Sequence, residues 1–151
     1  MGAKYTAAQI AEWFLVRNEM AISTIDADAI SPMKLQKLLY YAQGVHLAIT
    51  GEPLFDDPIE AWTHGPVIRS IYQKYKEFGS NGITKDGYEL FEIDKETASI
   101  LEQVYEVFGQ FSAWKLRNMT HEELPWKTTG HDEVICTEKI KDYFCKHYVE
   151  D

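Results

Sequence analysis

The chain has 151 residues, with 24 Asp and Glu against 15 Lys and Arg, a formal charge of −9 at pH 7. That length serves one core and buries roughly 68–70% of the unfolded surface, so neither metal nor disulfide is required. A hydrophobic content of 45% with 26% charged residues excludes an intrinsically disordered chain. The acidic balance argues against gripping nucleic acid through the chain's own field and suits a partner that is itself basic. No apolar run reaches the roughly 20 residues of a membrane span and no signal peptide opens the chain, which points to a cytoplasmic protein. Residues Met1 to Thr6 match the N-myristoylation pattern formally, but nothing basic follows to supply a second membrane signal.

Thr6 and Gln9 have the spacing of a capping box. Ala7, Ile10, Ala11 and Phe14 follow on one helical face, widened by Trp13, and predict a helix to about Glu19. The stretch from Ile22 to Ile30 reads as a loop. Ser31 as N-cap and Pro32 as first helical residue open a second helix, whose apolar stripe is Leu35, Leu38, Leu39, Ala42, Val45 and Ile49. Gly51 stops it and Pro53 prevents continuation. The unbroken stripe marks this as the central helix.

Ile59 to Thr63 reads as extended, and Pro66 is expected to open a third helix that ends near Gly79. Between Ser80 and Asp94, the Asp86-Gly87 turn dipeptide predicts a minor hairpin. Asp94 caps a helix with Ala98, Leu101, Tyr105 and Phe108 on one face, and Ser112 caps a short one from Ala113 to about Thr120. After a loop punctuated by proline and glycine, Thr137 caps a last helix carrying Ile140, Tyr143, Phe144, His147 and Tyr148. The sum is a mainly α chain: one compact domain over residues 1–151, about six helices around a central helix, with a minor β-hairpin or short extended segments.

Chemistry is sparse. His121-Glu122-Glu123 begins like a zinc-protease motif, but Pro125 stands where the second histidine is required. Cys136, Cys145 and His147 lack the Cys-x-x-Cys spacing of structural zinc, and no metal or cofactor is expected. The two cysteines read as reduced thiols, one or both packed as small hydrophobes. No GxSxG, Walker or GxGxxG pattern occurs, so the chain is not expected to be an enzyme; a hydrolase using His121 or a cysteine is the remaining alternative of that class. The Asp56-Asp57 pair reads as solvated. Lys34 and Lys37 with Tyr40-Tyr41, and Arg69, Lys74 and Lys76 on the third helix, read as solvated edges beside aromatic core rather than a nucleic-acid surface. Core is the default for Trp13, Trp62, Trp114 and Trp126.

One ordered set of motifs is distinctive. Lys34-Leu35-Gln36-Lys37-Leu38-Leu39-Tyr40-Tyr41-Ala42-Gln43-Gly44 is followed by Gly51-Glu52-Pro53-Leu54-Phe55, Ile59-Glu60-Ala61-Trp62 and Gly65-Pro66-Val67. Later come Phe111-Ser112-Ala113-Trp114-Lys115-Leu116, Thr120-His121 and Pro125-Trp126. This order and spacing resembles the Panacea-domain family, the SocA- and GepA-like proteins of phage and mobile-element neighbourhoods, from about Ile10 to the last helix. The resemblance implies an antitoxin that neutralises the toxin encoded beside it by direct protein contact. In one branch it implies an adaptor handing its toxin to a protease. It brings no catalytic set. The expected docking surface joins Lys34, Lys37 and Tyr41 on the second helix to the turn of Trp62, His64, Gly65 and Pro66. There, free amides at a helix start would favour an acidic group.

Overall fold

A computed structural model of the chain describes residues 2–25, 28–84, 87 and 92–149. The helix starts follow their caps. The Gln9 amide donates to Thr6 Oγ1 and the Thr6 amide to Gln9 Oε1, which closes the capping box of α1 (Ala7–Ile25). No glycine or proline lies between Glu19 and Ile25, and Ala21 is buried, so α1 continues through the first part of the expected loop. The Asp56-Asp57 pair anchors the entry rather than merely facing solvent. The Ala3 amide donates to Asp56 and the Ala7 amide to Asp57.

Ser31 caps α2 (Pro32–Thr50), with Pro32 in the first turn and Gly51 closing the helix at φ 80°. Every expected stripe residue except Ile49 is buried, and Leu35, Leu38 and Leu39 are wholly so. The other faces of α2 are covered as well, because α1 and further elements pack around it on all sides. Two buried glutamines on α2, one heptad apart, fasten loops to it. Gln36 both donates to and accepts from the backbone of Ile68; Gln43 accepts from the Leu54 amide and donates to the Phe55 carbonyl. Each amide completes a pair of bonds that would otherwise leave buried backbone unsatisfied.

The extended segment is β1 (Glu60–Trp62), paired antiparallel with β2 (Gly65–Val67). Pro66 therefore lies in a strand and does not open the third helix, as the residue type suggested. It stands opposite Ala61, whose amide and carbonyl both turn away to bond Glu133 and Asp132, so the missing proline N–H leaves no partner stranded. Helix α3 (Arg69–Tyr75) starts three residues later and passes into a 3-10 turn over Lys76–Phe78. Of the hairpin expected over 80–94, residues 85, 86 and 88–91 lie outside those described, and the described residues of this stretch form no strand.

Asp94 caps α4 (Lys95–Phe108) and Ser112 caps α5 (Ala113–His121). A short α6 (Leu124–Lys127) occupies what read as loop, and α7 (Thr137–His147) begins with Cys136 at the cap position, one residue before the expected Thr137. A β-carbon on Gly44 would stand 2.4 Å from the Phe144 ring, so only glycine lets α7 approach α2 this closely. The expected mainly α architecture around a central helix is the observed one, with seven α-helices among the described residues. None of them is long and apolar enough to cross a membrane.

Candidate functional site

Motifs scattered from residue 36 to residue 126 converge on one turn, Thr63-His64, between β1 and β2. Beneath it, Lys37 Nζ donates to the Pro66 carbonyl at 3.1 Å. On one side Trp126 Nε1 donates to the Trp62 carbonyl at 2.7 Å, and the His121 ring lies flat on Trp126 at 3.9 Å. On the other, Trp62 Nε1 donates to Glu60, whose carboxylate also takes a two-pronged bond from Arg69. Arg69 lies over the Trp62 ring and Tyr72 meets that ring edge-on at 5.0 Å. Gly65 holds φ at 111°, where residues with a β-carbon are strained. The turn is fixed from three sides, and it presents His64 to solvent.

The residues singled out from the sequence separate into two groups. His64 is exposed and Trp62 half-buried, so both remain on the surface. Gly65 and Pro66 are buried within the hairpin. Lys37 and Tyr41 do not form a polar edge: they are 1% and 0% exposed, because α2 is enclosed on every side. Lys34 is half-buried and donates to the Gly109 carbonyl at 2.6 Å, where its charge meets the C-terminal end of α4. Trp114 departs from the core default at 55% exposure, and Trp13 and Trp126 are only partly buried. Both cysteines are free and exposed, not packed inside. Among the described residues no hydrogen bond joins His121 to either of them.

A cavity of about 310 Å³ opens beside the turn, lined among others by Met33, Lys37, Trp62, His64, Val67 and Tyr72. Its electrostatics are unusual for so acidic a chain. Burial, and after it the nearby Arg117 charge, push the Lys37 ammonium down to about 7. Burial, then Arg117 and Lys37, also hold His121 below the ordinary histidine range. Arg117 Nε donates to His64 Nδ1 at 3.4 Å; since arginine can only donate, His64 accepts there and carries its proton on Nε2. The Arg117 guanidinium carbon lies over the Trp114 ring, 4.5 Å from its centre, and the His64 ring is tilted against the same ring at 6.1 Å. Among the described residues, none of Lys37, His64, Arg117 and His121 makes an ion pair with a carboxylate.

The buried acid that the sequence reading missed is Glu123, which is 3% exposed. It accepts from Tyr40 and Tyr41 at 2.9 Å each, and from Tyr148. Burial raises its carboxyl above the usual range although the three phenols oppose this. The same desolvation pushes the phenols of Tyr40, Tyr41 and Tyr148 up. This knot ties α2 to the α5–α6 junction and the end of α7. The only sequence cue was an adjacent tyrosine pair on a buried helix, whose hydroxyls must find an acceptor somewhere.

The model of the family described as antitoxin SocA-like, Panacea domain, matches residues 35–127. Antitoxin SocA of Caulobacter vibrioides (strain NA1000 / CB15N) is 31% identical over 135 residues, covering 76% of this chain and 72% of that protein. No solved structure matches the chain. The matched region spans the central helix, the braced turn and the Trp126 clamp, and on that match the chain belongs to the SocA-like antitoxin family with a Panacea domain.

Proposed function

We propose that the chain is an antitoxin that masks a protein toxin encoded next to it by direct contact, through the surface around the Thr63-His64 turn. The observation that carries this reading is the turn itself. Side chains from β1, α2, α3, α5 and α6 hold it rigid, while Trp62, His64 and the cavity beside them stay accessible. Rigid, partly exposed aromatics suit a protein interface because little side-chain freedom is lost on docking. A net charge of −9 favours encounter with a basic toxin.

Co-expression with the neighbouring gene product tests the reading. A stable complex and rescued growth are expected; a neighbour that is harmless alone would remove its basis. Rescue should persist in a host lacking its ATP-dependent proteases. Loss of rescue there would indicate an adaptor that delivers the toxin for proteolysis.

A further inference from the structure

Thr63, His131 and Asp132 stand in a row, and all three line the cavity beside the turn. Thr63 Oγ1 is 3.1 Å from His131 Nε2, and His131 Nδ1 is 3.3 Å from Asp132 Oδ2. An ionised carboxylate can only accept, so Asp132 draws the ring proton to Nδ1. In the neutral ring Nε2 is then a bare lone pair, and the Thr63 hydroxyl donates to it. Hydroxyl, imidazole and carboxylate in this order turn a weak alcohol into a nucleophile. Thr63 and His131 are 68 residues apart, so no sequence motif announces the set.

The backbone fixes the far end of the row. Asp132 has φ 67°, and among the described residues it is the one position other than glycine with a positive φ. Its amide donates at 2.7 Å to the Ala61 carbonyl of β1, the strand that leads into Thr63, so carboxylate and hydroxyl are held from the same strand. The amide of His64 donates to no backbone carbonyl among the described residues. It directly follows Thr63, a position from which an amide can serve a developing oxyanion. Met33, Trp62, Val67 and Tyr72 give the cavity apolar walls, and about 310 Å³ is at the lower end of small-molecule sites. We infer that the chain hydrolyses small carboxylic esters here, with Thr63 as nucleophile, His131 as base and Asp132 positioning the ring. This activity goes beyond the antitoxin reading and does not depend on it. Thr63 Oγ1 bonds to the ester carbonyl carbon while its proton passes to His131 Nε2. The bond to the alcohol oxygen breaks, and His131 returns the proton to that oxygen. Water then attacks acyl-Thr63 and gives a proton to His131; the acid leaves as Thr63 Oγ1 takes that proton back. The exposure of Thr63 and His131 admits both ester and water.

Hydrolysis of p-nitrophenyl butyrate by the full chain, with mass mapping of the residue labelled by an alkyl fluorophosphonate, tests the inference. Wild type should turn over the ester and carry the label on Thr63. Thr63→Val, which keeps the shape without the hydroxyl, should lose both, and His131→Gln should slow turnover roughly a hundredfold. Thr63→Ser restores the hydroxyl without the methyl group and should react at least as fast as wild type. Asp132→Asn keeps the side-chain size and should lower kcat with KM little changed. A wild type without turnover, a label on another residue, or Thr63→Val hydrolysing as fast as wild type would overturn the inference. So would an inactive Thr63→Ser, and an effect of Asp132→Asn on KM alone would overturn its positioning role.

Discussion

The stem of Lys37 occupies the space that a β-carbon on Gly65 would need. Such an atom would lie 2.7 Å from Lys37 Cε and 2.8 Å from Thr120 Oγ1, at a backbone φ of 111°. The turn therefore depends twice on glycine, once for its conformation and once for its closeness to α2. Gly65→Ala should lower stability by about 2–6 kcal/mol, since backbone strain and overpacking each cost about 1–3. Equilibrium urea unfolding measures it. A loss below about half a kcal/mol would mean that the turn relaxes freely and is not braced by Lys37 at all.

Lys37 itself makes stability depend on pH in a direction opposite to most ion-paired lysines. Its folded-state value near 7 lies below the 10.5 of an unfolded lysine. Between those two values the unfolded chain holds the extra proton, so stability rises as pH rises through this window and is lowest below 7. From pH 7 to 9.5 the gain from this one group approaches roughly 3 kcal/mol. Lys37→Met, which keeps the stem without the charge, should flatten that slope and be the more stable protein at pH 6. Parallel slopes for the two proteins in denaturation series would show that Lys37 titrates normally.

Leu39 gives the plainest measure of the central helix. It is wholly buried, and its truncation to alanine should cost roughly 2–5 kcal/mol. Against a typical total of about 5–15 kcal/mol this is a large fall in melting temperature. An effect under about half a kcal/mol would contradict the packing of α2 described above.

What could be read in advance followed local rules. Ser31, Asp94 and Ser112 each satisfy amides within their own first turn, so four consecutive residues carry the signal. The burial of Leu35, Leu38 and Leu39 followed from spacing alone. What was misread depended on distant partners. Lys37 looks like a solvent residue until β2 arrives from residue 65 onward to cover it. Pro66 looks like a helix start until Asp132 and Glu133 claim the backbone of its strand partner. Glu123 shares its motif region with His121, and the reactive-looking histidine drew the chemical reading. The acid needs three tyrosines from two other helices or their ends, and no window of sequence contains them.

That three-phenol arrangement around Glu123 yields the most demanding prediction. Tyr40 and Tyr41 are wholly buried, so Glu123→Ala strands two hydroxyls at about 1–3 kcal/mol each and opens space beside them. Glu123→Gln keeps one acceptor oxygen and the same volume, and should cost clearly less than the alanine variant. The pH dependence separates charge from shape. Because burial raises the folded-state carboxyl above its unfolded value near 4.5, the folded chain holds the extra proton between those two values. Wild-type stability from this group therefore declines as pH climbs through that window, and the glutamine variant has no such decline. Denaturation of both proteins at pH 4.5 and 7.5 gives the difference directly, with the remaining carboxylates cancelling between them. The wild type should lose stability relative to Glu123→Gln on going to the higher pH. If it gains instead, the three phenols outweigh burial, and Glu123 is an ordinary stabilised carboxylate rather than one held against its solvation.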